Sequence, residues 1–450
     1  MPTVNTHKIF LTTCLLFTCI IGHCTVLIVD TELDLIDDNI GDGLCQTATM
    51  NCSLRAAIQE SNAAPNQDRI VLPEGTYILN REGIDEDLAS TGDLDLFTSI
   101  EIEGAGSDLT FIDGNQTDRV FELFADSTND SIKLSHLTIQ NGQYSEFGQI
   151  GGSGLLITGR DLELLDVTIT NNTTFDSGAS AVHIDNACVT GEQVRITANI
   201  GLSSSAGTIY IDGKMACLDL TQFEISNNES DAAAAMFLHT SSQVHLKQGL
   251  IAYNKSSQSV IIINSDNQIT LDNITVSSNE SNGAILNDGF STLLIRNSTI
   301  TKNIGYQGNV PTVGGIIDVH GGTGMTFLTN SIVAGNGPGF ISDDIQRANS
   351  LNGGNILGDV SAYASHPSDL LSFNPMLGPL TAHGHFTEAH LPNQITVDLA
   401  NDEHCLSVDQ FNQPRPQDGN NDGETHCDAG AIELSLDDLI FTDGFETSLK

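Results

Sequence analysis

The hydrophobic pattern of this 450-residue chain is built on a short phrase that returns eight times. Each copy is a β-branched apolar run that is followed by asparagine or glycine, and successive copies lie 24 to 33 residues apart. The central apolar residues of the eight copies are Ile139, Ile169, Ile196, Ile225, Ile251, Val276, Ile300 and Val333. Repeats of this length without helical periodicity are typical of a β-solenoid, in which each repeat forms one coil.

Asparagine stands three residues after the central apolar residue in seven of the eight copies, and Gly142 takes that place in the first. Both residue types tolerate the left-handed backbone of a sharp bend, and stacked asparagines can hydrogen-bond from one coil to the next. The sequence therefore predicts a structural turn ladder. Its members are Asn172, Asn199, Asn228, Asn254, Asn279, Asn303 and Asn336.

The regions on either side of the repeats have a different pattern. Residues 52–65 are the best helix candidate, because Ser53 can cap a helix whose apolar stripe includes Leu54 and Ile58. A helix in this position would cover the open end of the solenoid core. The predicted organisation is an N-terminal cap at 25–67, coils at 68–360, a C-terminal cap at 361–434 that covers the far end, and an acidic tail at 435–450.

Residues 1–24 have the pattern of a secretory signal peptide. Lys8 precedes an apolar run at residues 9–21 that is too short to span a bilayer, and small residues precede Thr25. No later stretch is suited to a membrane helix. The mature chain is therefore expected to be secreted or held at a bacterial cell surface, in association with the outer membrane.

Six cysteines remain after the signal peptide, and an oxidising compartment favours disulfides. Cys188 and Cys217 each lie eight residues before the central isoleucine of their repeat, so they occupy equivalent positions on successive coils. Stacked strands would bring them about 4.8 Å apart, which a disulfide accepts. Cys45–Cys52 and Cys405–Cys427 are the other expected pairs.

Charge excludes one class of partner. The chain has 16 Lys and Arg against 58 Asp and Glu, a formal net charge of -42. Such a surface repels nucleic acids and anionic lipids, whose recognition needs clustered cations. Solubility in a cation-rich medium and the binding of divalent ions both fit this charge. A monomer is expected.

Both ends of the chain resemble known secreted bacterial proteins. Residues 41–63, with GDGLC and CSLRAAIQESNA, resemble the CSLREA-type N-terminal domain, although Ala56 stands where that motif has glutamate. Residues 374–392 and 409–433 resemble the choice-of-anchor C-terminal segment, and IFTDGFE at 440–446 is similar to a tail of secreted gammaproteobacterial proteins. Because Ala56 replaces that glutamate, the CSLREA-type motif need not be catalytic.

The repeats themselves resemble right-handed parallel β-helix proteins of the pectin-lyase-like fold and the polymorphic outer-membrane proteins. Residues 283–303 and 314–336 carry this similarity. It implies an all-β, right-handed single-stranded parallel β-helix, which we expect to have roughly ten coils. It also implies a surface or extracellular protein, of a kind whose members mostly have no assigned activity.

Enzymes of this fold include polysaccharide lyases, which need a base beside a calcium-neutralised carboxylate, and hydrolases, which use several carboxylates. Basic residues in the repeats are few: Lys133, Arg160, Arg195, Lys214, Lys247, Lys255, Arg296 and Lys302. We expect none to lie one coil from another beside a matched acidic cluster. Asp343–Asp344 is the one adjacent acidic pair late in the repeats and is expected to be an exposed turn. The sequence predicts no catalytic residues.

Residues 418–428 are the best candidate for a metal site, because they follow a D-x-N-x-D-G pattern typical of calcium loops. The predicted ligands are Asp418, Asn420, Asp422, Glu424 and Asp428. Ala429 stands where an EF-hand has glutamate, so this is not a complete EF-hand, and a plain acidic turn is the alternative. His383, His385 and His390 suggest zinc more weakly. Calcium is thus the possible cofactor, with none certain.

The sequence favours a non-catalytic, secreted or cell-surface scaffold that contacts a surface glycan or protein, as in adhesion or matrix binding. The alternative is a calcium-assisted polysaccharide lyase or hydrolase. A groove in which a basic residue and two or more carboxylates converge would distinguish the two.

Overall fold

The computed structural model is an all-β parallel β-helix with one α-helix. It describes residues 25–63, 68–84, 86–124, 132–144, 151–175, 178–202, 206–264, 266–307, 310–311, 313–319, 325–337, 344–359, 363–364 and 366–435. The predicted signal peptide and the IFTDGFE tail lie outside these residues. About eight turns have strands on all three sides of the solenoid, against the roughly ten coils expected.

Three parallel sheets run along the solenoid. Sheet A, the largest, has 19 strands. They are Val26–Ile28, Asp68–Val71, Gly75–Ile78, Ile100–Glu103, Thr110–Asp113, Ile132–Gln140, Leu162–Thr170, Cys188–Thr197, Cys217–Ser226, Gln243–Ala252, Gln268–Ser277, Thr292–Arg296, Thr299–Thr301, Met325–Thr329, Ile332–Val333, Ala348–Gly353, Ile356–Leu357, Tyr363–Ala364 and Leu370–Leu371.

Sheets B and C form the other two sides, with 9 and 8 strands. Sheet B contains Leu94–Leu96, Phe121–Phe124, Leu155–Thr158, Ala179–Asp185, Gly207–Asp212, Ala233–Leu238, Ser259–Ile263, Ile285–Asn287 and Ile316–Asp318. Sheet C contains Gln143–Tyr144, Thr173–Thr174, Ile200–Gly201, Glu229–Ser230, Lys255–Ser256, Glu280–Ser281, Ile304–Gln307 and Val310–Pro311, the last one antiparallel.

Single left-handed residues shape each coil. The strand Cys188–Thr197 bends at Gln193 (φ 56°), and the chain turns again at Ala198 (φ 56°) just before Asn199. Equivalent bends recur along sheet A, and between them alternate side chains point into the solenoid. The inward residues, such as Ile196, are buried in one continuous apolar core that extends to Leu357.

The asparagines predicted to form a ladder lie in register inside the turns. The backbone N–H and the Nδ2 of Asn199 both donate to Oδ1 of Asn228, at 2.9 and 3.0 Å. The same pattern links each asparagine from Asn172 to Asn336 with its successor on the next coil. The residue with the left-handed backbone is the one before the asparagine, not the asparagine itself. The expectation that asparagine stands here because it tolerates that backbone is therefore wrong.

The predicted N-terminal helix spans Leu54–Ala63, shorter at both ends than the sequence pattern indicated. Oγ of Ser53 accepts the Ala56 N–H at 3.1 Å, as a helix cap does. Leu54, Ala57 and Ile58 pack into the solenoid core. The helix is therefore part of the same body as the first coils.

The three predicted disulfides are confirmed. Cys188 and Cys217 are direct partners in the register of sheet A, with Cα atoms 4.5 Å apart. Cys45–Cys52 and Cys405–Cys427 are also bonded, with Cα–Cα distances of 5.1 and 6.1 Å. The first of these ties the N-terminal cap and the last ties the C-terminal segment.

The C-terminal segment is not confined to the far end of the solenoid, contrary to our expectation. After its last strands the chain turns back and lies along the outer face of sheet A. Its contacts extend from Asn401, whose N–H donates to Asn330, back to Phe386, whose ring lies 3.9 Å from the Arg195 guanidinium. We call residues 373–435 the strap. Polar side chains on the outer face contact the strap, and a small apolar cluster of Ile332, Ala334, Ile356 and Ala429 also joins the two.

Candidate functional site

Two outward rows of side chains on sheet A bring charged residues of successive coils together. Asp219 and His245 are register partners in one row, and Lys247, Asp272 and Arg296 are consecutive partners in the other. Strand alternation explains the placement, because the residues between them point into the core. We call these five residues the sheet A cluster.

Asp272 is the centre of the cluster. It accepts two hydrogen bonds from Arg296, at 2.7 Å from Nε and 2.6 Å from Nη2, and shares a third of 2.9 Å with His245 Nε2. Burial alone would raise the pKa of Asp272, but the bonds with His245 and Arg296 outweigh it and hold the pKa below its usual value. Asp272 is thus an ionised carboxylate that lies between the guanidinium of Arg296 and the imidazole of His245.

Lys247 is held by the coil before it. Its Nζ donates to both oxygens of Asp219, at 3.1 and 3.2 Å. Both side chains remain partly exposed. This pair and the Arg296–Asp272 pair therefore present donors and acceptors to solvent while carrying little net charge.

A cavity of about 320 Å³ lies beside the cluster, between sheet A and the strap. Leu294 and Phe327 form an apolar side of this cavity, and the partly exposed side chain of Arg296 also lines it. Polar groups complete the lining: Thr329, Asn352, Glu403 and His404. Cavities of this size with an apolar side and a few polar groups are typical of small-ligand sites.

The sheet A cluster does not contradict the expectation that no two basic residues lie one coil apart beside an acidic cluster. Lys247 and Arg296 are two coils apart, and Asp272 lies on the coil between them. The intervals of 25 and 24 residues were visible in the sequence. They could not be read as contacts before the register of each coil was known, because coil length varies.

The candidate calcium loop is compact, but Asp428 does not join it. Asp418 accepts the N–H groups of Asp422 and Gly423, and Asn420 also bonds to Asp422, so the loop is an exposed polar turn. Asp428 is buried, and each of its oxygens accepts a backbone N–H. Burial raises the pKa of Asp428 to about 7. Calcium binding by Asp418, Asn420, Asp422 and Glu424 stays a prediction.

Of the three histidines suggested for zinc, His383 and His385 both contact the ring of Phe411, and His390 is buried among other groups. His390 is buried between Ser277 Oγ and the Gly378 carbonyl, and burial lowers its pKa to about 4. His385 stacks on Phe411 at 4.1 Å, and His383 bonds to Thr381. We interpret these three histidines as polar residues with a structural role.

Asp344 is buried rather than exposed, which corrects the predicted turn. Its Oδ1 accepts the Asn336 backbone N–H at 2.7 Å and the Asn336 Nδ2 at 2.9 Å. The carboxylate therefore takes the position that the next asparagine would occupy and extends the ladder by one coil. Asp343 lies outside the described residues.

Comparison with known proteins places the fold. No protein-family model matches the chain, and no curated protein is similar to it in sequence. The resemblance to CSLREA and choice-of-anchor proteins is therefore not confirmed. Within the described residues no helix has the length and hydropathy needed to cross a membrane.

The crystal structure of pectate lyase Pel9A is similar to this chain, with a TM-score of 0.51 and 13% sequence identity, over 92% of this chain and 98% of that one. The chain thus has the parallel β-helix fold that this pectate lyase has.

Proposed function

We propose that the protein is a secreted, non-catalytic β-helix scaffold that contacts a hydroxyl-rich, weakly charged extracellular glycan at the sheet A cluster. The observation that carries this proposal is the cavity of about 320 Å³ beside Arg296. The rings of sugars pack on apolar side chains such as Phe327, while their hydroxyls need both donors and acceptors. The paired charges of the cluster supply both kinds of group.

The pairing of the cations supports a non-catalytic role. A lyase needs a base that can take a proton, and Lys247 and Arg296 both donate to carboxylates. The hydrogen bonds with Asp272 raise the pKa of Arg296, which strengthens its hold on its proton. Adhesion or matrix contact requires no such base.

The net charge of -42 supports the choice of a weakly charged ligand over a polyanion. Three disulfides are consistent with export to an oxidising compartment. Retention at the outer surface of a bacterial cell, as the resemblance of the chain ends implies, is part of the same proposal.

The alternative, a calcium-assisted polysaccharide lyase or hydrolase, has one observation in its favour. Two cations and two carboxylates lie on four successive coils, although Arg296 is the one member of this set that lines the cavity. Their mutual hydrogen bonds are the reason we prefer the scaffold.

The test is a panel of neutral, uronate-containing and sulfated polysaccharides, assayed with the mature protein for binding and for depolymerisation, with and without calcium. We expect binding to a neutral polysaccharide and no cleavage. Arg296→Gln should weaken binding at least tenfold, because it removes a cavity-lining donor. Lys255→Gln, which changes an exposed cation on sheet C, is the matched control and should bind normally.

Two outcomes would contradict the proposal. Cleavage of any polysaccharide by the wild-type protein, lost in Lys247→Gln, would establish the enzyme. Absence of binding to the whole panel would reject glycan contact at this site.

A further inference from the structure

A second charged cluster lies at the opposite end of the solenoid, on the outward side of sheet B. Asp93 and Asp95 lie two residues apart, so both point outward from the same strand region. Glu122 is the register partner of Asp95 on the next coil. One ligand oxygen from each of the three lies within 4.8 Å of the others. No other group of three or more His, Cys, Asp or Glu in the described parts of the chain comes as close.

Burial makes this cluster unlike an ordinary acidic surface. Asp93 is 2% exposed and Asp95 is fully buried. Oδ2 of Asp95 accepts the Ala89 N–H at 2.6 Å, but its Oδ1 is buried and has no hydrogen-bond partner among the residues that the structure describes. A buried carboxylate oxygen without a donor is costly, and a bound proton or a nearby positive charge offsets that cost.

Arg119 compensates only part of the negative charge. Its Nε lies 2.9 Å from Asp93 and its Nη1 lies 3.2 Å from Glu122, while the guanidinium also stacks on Tyr144. The other buried cation nearby, Arg55, is ion-paired with Asp34.

We propose that Asp93, Asp95 and Glu122 form a binding site for one divalent cation of the calcium class. The three side chains offer only oxygen ligands, which calcium prefers, and they contain no histidine or thiolate that would favour zinc. One carboxylate oxygen of Asp95 belongs to the group, and its Oδ1 accepts no hydrogen bond from the residues that the structure describes. The cation would join the coil of Asp95 to the coil of Glu122 and so stabilise the N-terminal end of the solenoid. This site is separate from the 418–424 loop and from the glycan cavity.

The experiment is a calcium titration of the mature protein by calorimetry, with thermal unfolding in calcium and in EDTA. Asp95→Asn keeps the size of the side chain and an acceptor for the Ala89 N–H. We expect it to weaken calcium binding at this site at least tenfold and to abolish the calcium-dependent rise in melting temperature. Asp108→Asn, at an exposed position outside both acidic groups, is the matched control and should retain both effects. Asp422→Asn separates any calcium binding by the exposed loop from binding at this site.

Terbium luminescence gives a readout that depends on location. Tyr144 stacks on Arg119 and is therefore close enough to sensitise a terbium ion held by Glu122. Tyr144→Phe should reduce the terbium signal and leave calcium affinity unchanged. Should Asp95→Asn fail to fold, as judged by circular dichroism, Glu122→Gln replaces it, because that side chain is partly exposed and more tolerant.

If the titration shows that the wild-type protein binds no calcium, the proposal is overturned. It is equally overturned if Asp422→Asn removes all binding while Asp95→Asn or Glu122→Gln retains it. Either result leaves the proposed glycan contact unaffected, since the two sites share no residue.

Discussion

At the scale of single residues, the turn ladder assigns different tasks to two neighbouring positions. The residue before each asparagine adopts the left-handed backbone, and types as different as Ala198, Tyr253 and Lys302 do so. The asparagine itself is buried and connects its coil with the next through two hydrogen bonds. Asparagine is therefore selected for its amide, which donates and accepts at once, and not for its backbone preference.

Replacing one ladder residue tests this assignment. Asn228→Ala leaves the Asn199 backbone N–H without its acceptor and the Ile196 carbonyl without the Asn228 Nδ2 donor. We expect the free energy of unfolding to fall by about 3 kcal/mol, since buried groups without partners cost about 1–3 kcal/mol each. Denaturant unfolding monitored by circular dichroism measures it. Gln268→Ala, at an exposed strand position, should change stability by less than about 0.5 kcal/mol. Equal effects of the two variants would show that the ladder bonds do not matter.

The repeat could be found from the sequence because one apolar position and one amide recur together. That information was sufficient for the solenoid and for the Cys188–Cys217 pair. It was not sufficient for the sheet A cluster, because outward residues follow no hydrophobic rule and coil lengths vary between 24 and 33 residues. The neighbours of Asp272 depend on register, which the polar residues themselves do not reveal.

At the scale of elements, the strap is the part that the sequence described least well. Its composition marked it as distinct from the coils, but it docks on sheet A through hydrogen bonds of polar groups together with one small apolar cluster. Gln410, for example, is buried, accepts from Thr275 on sheet A and donates to Thr387 and Glu388 within the strap. Such contacts leave no pattern of apolar residues from which docking could be predicted.

Removing this side chain should loosen the strap. We expect Gln410→Ala to destabilise it by about 2–3 kcal/mol, because Thr275 and the strap groups lose buried partners. Limited proteolysis should then cleave within residues 373–435 several times faster, while the coils stay resistant. Gln413→Ala, which alters an exposed side chain of the same segment, serves as the control. Cleavage of both variants at the wild-type rate would mean that other contacts hold the strap.

At the scale of the whole molecule, charge works against folding. The formal charge of -42 is distributed along a body whose coils contact mainly their neighbours. Self-repulsion at this level destabilises the compact state. Ion pairs between coils, such as Lys133–Glu163 and Lys247–Asp219, offset it locally, but exposed pairs contribute little each.

Salt should therefore stabilise the protein. Between about 0.01 M and 0.1 M ionic strength the screening length falls from about 30 Å to about 10 Å, which weakens repulsion between coils. We expect the melting temperature, measured in sodium chloride with EDTA present, to rise by a few degrees over this range. A fall would indicate that the ion pairs between coils outweigh the general repulsion.

The course of the strap also determines how the protein would respond to a pulling force. The last described residues of the strap lie beside Thr299, where the Ala431 N–H bonds to Oγ1, and not beside the last coil. Tension applied through these residues would enter the body near Thr299 and would shear the strap along sheet A. Shear loads many bonds at once, whereas peeling breaks them singly. A tether at the C-terminal end would thus spare the final coils from unwinding under flow.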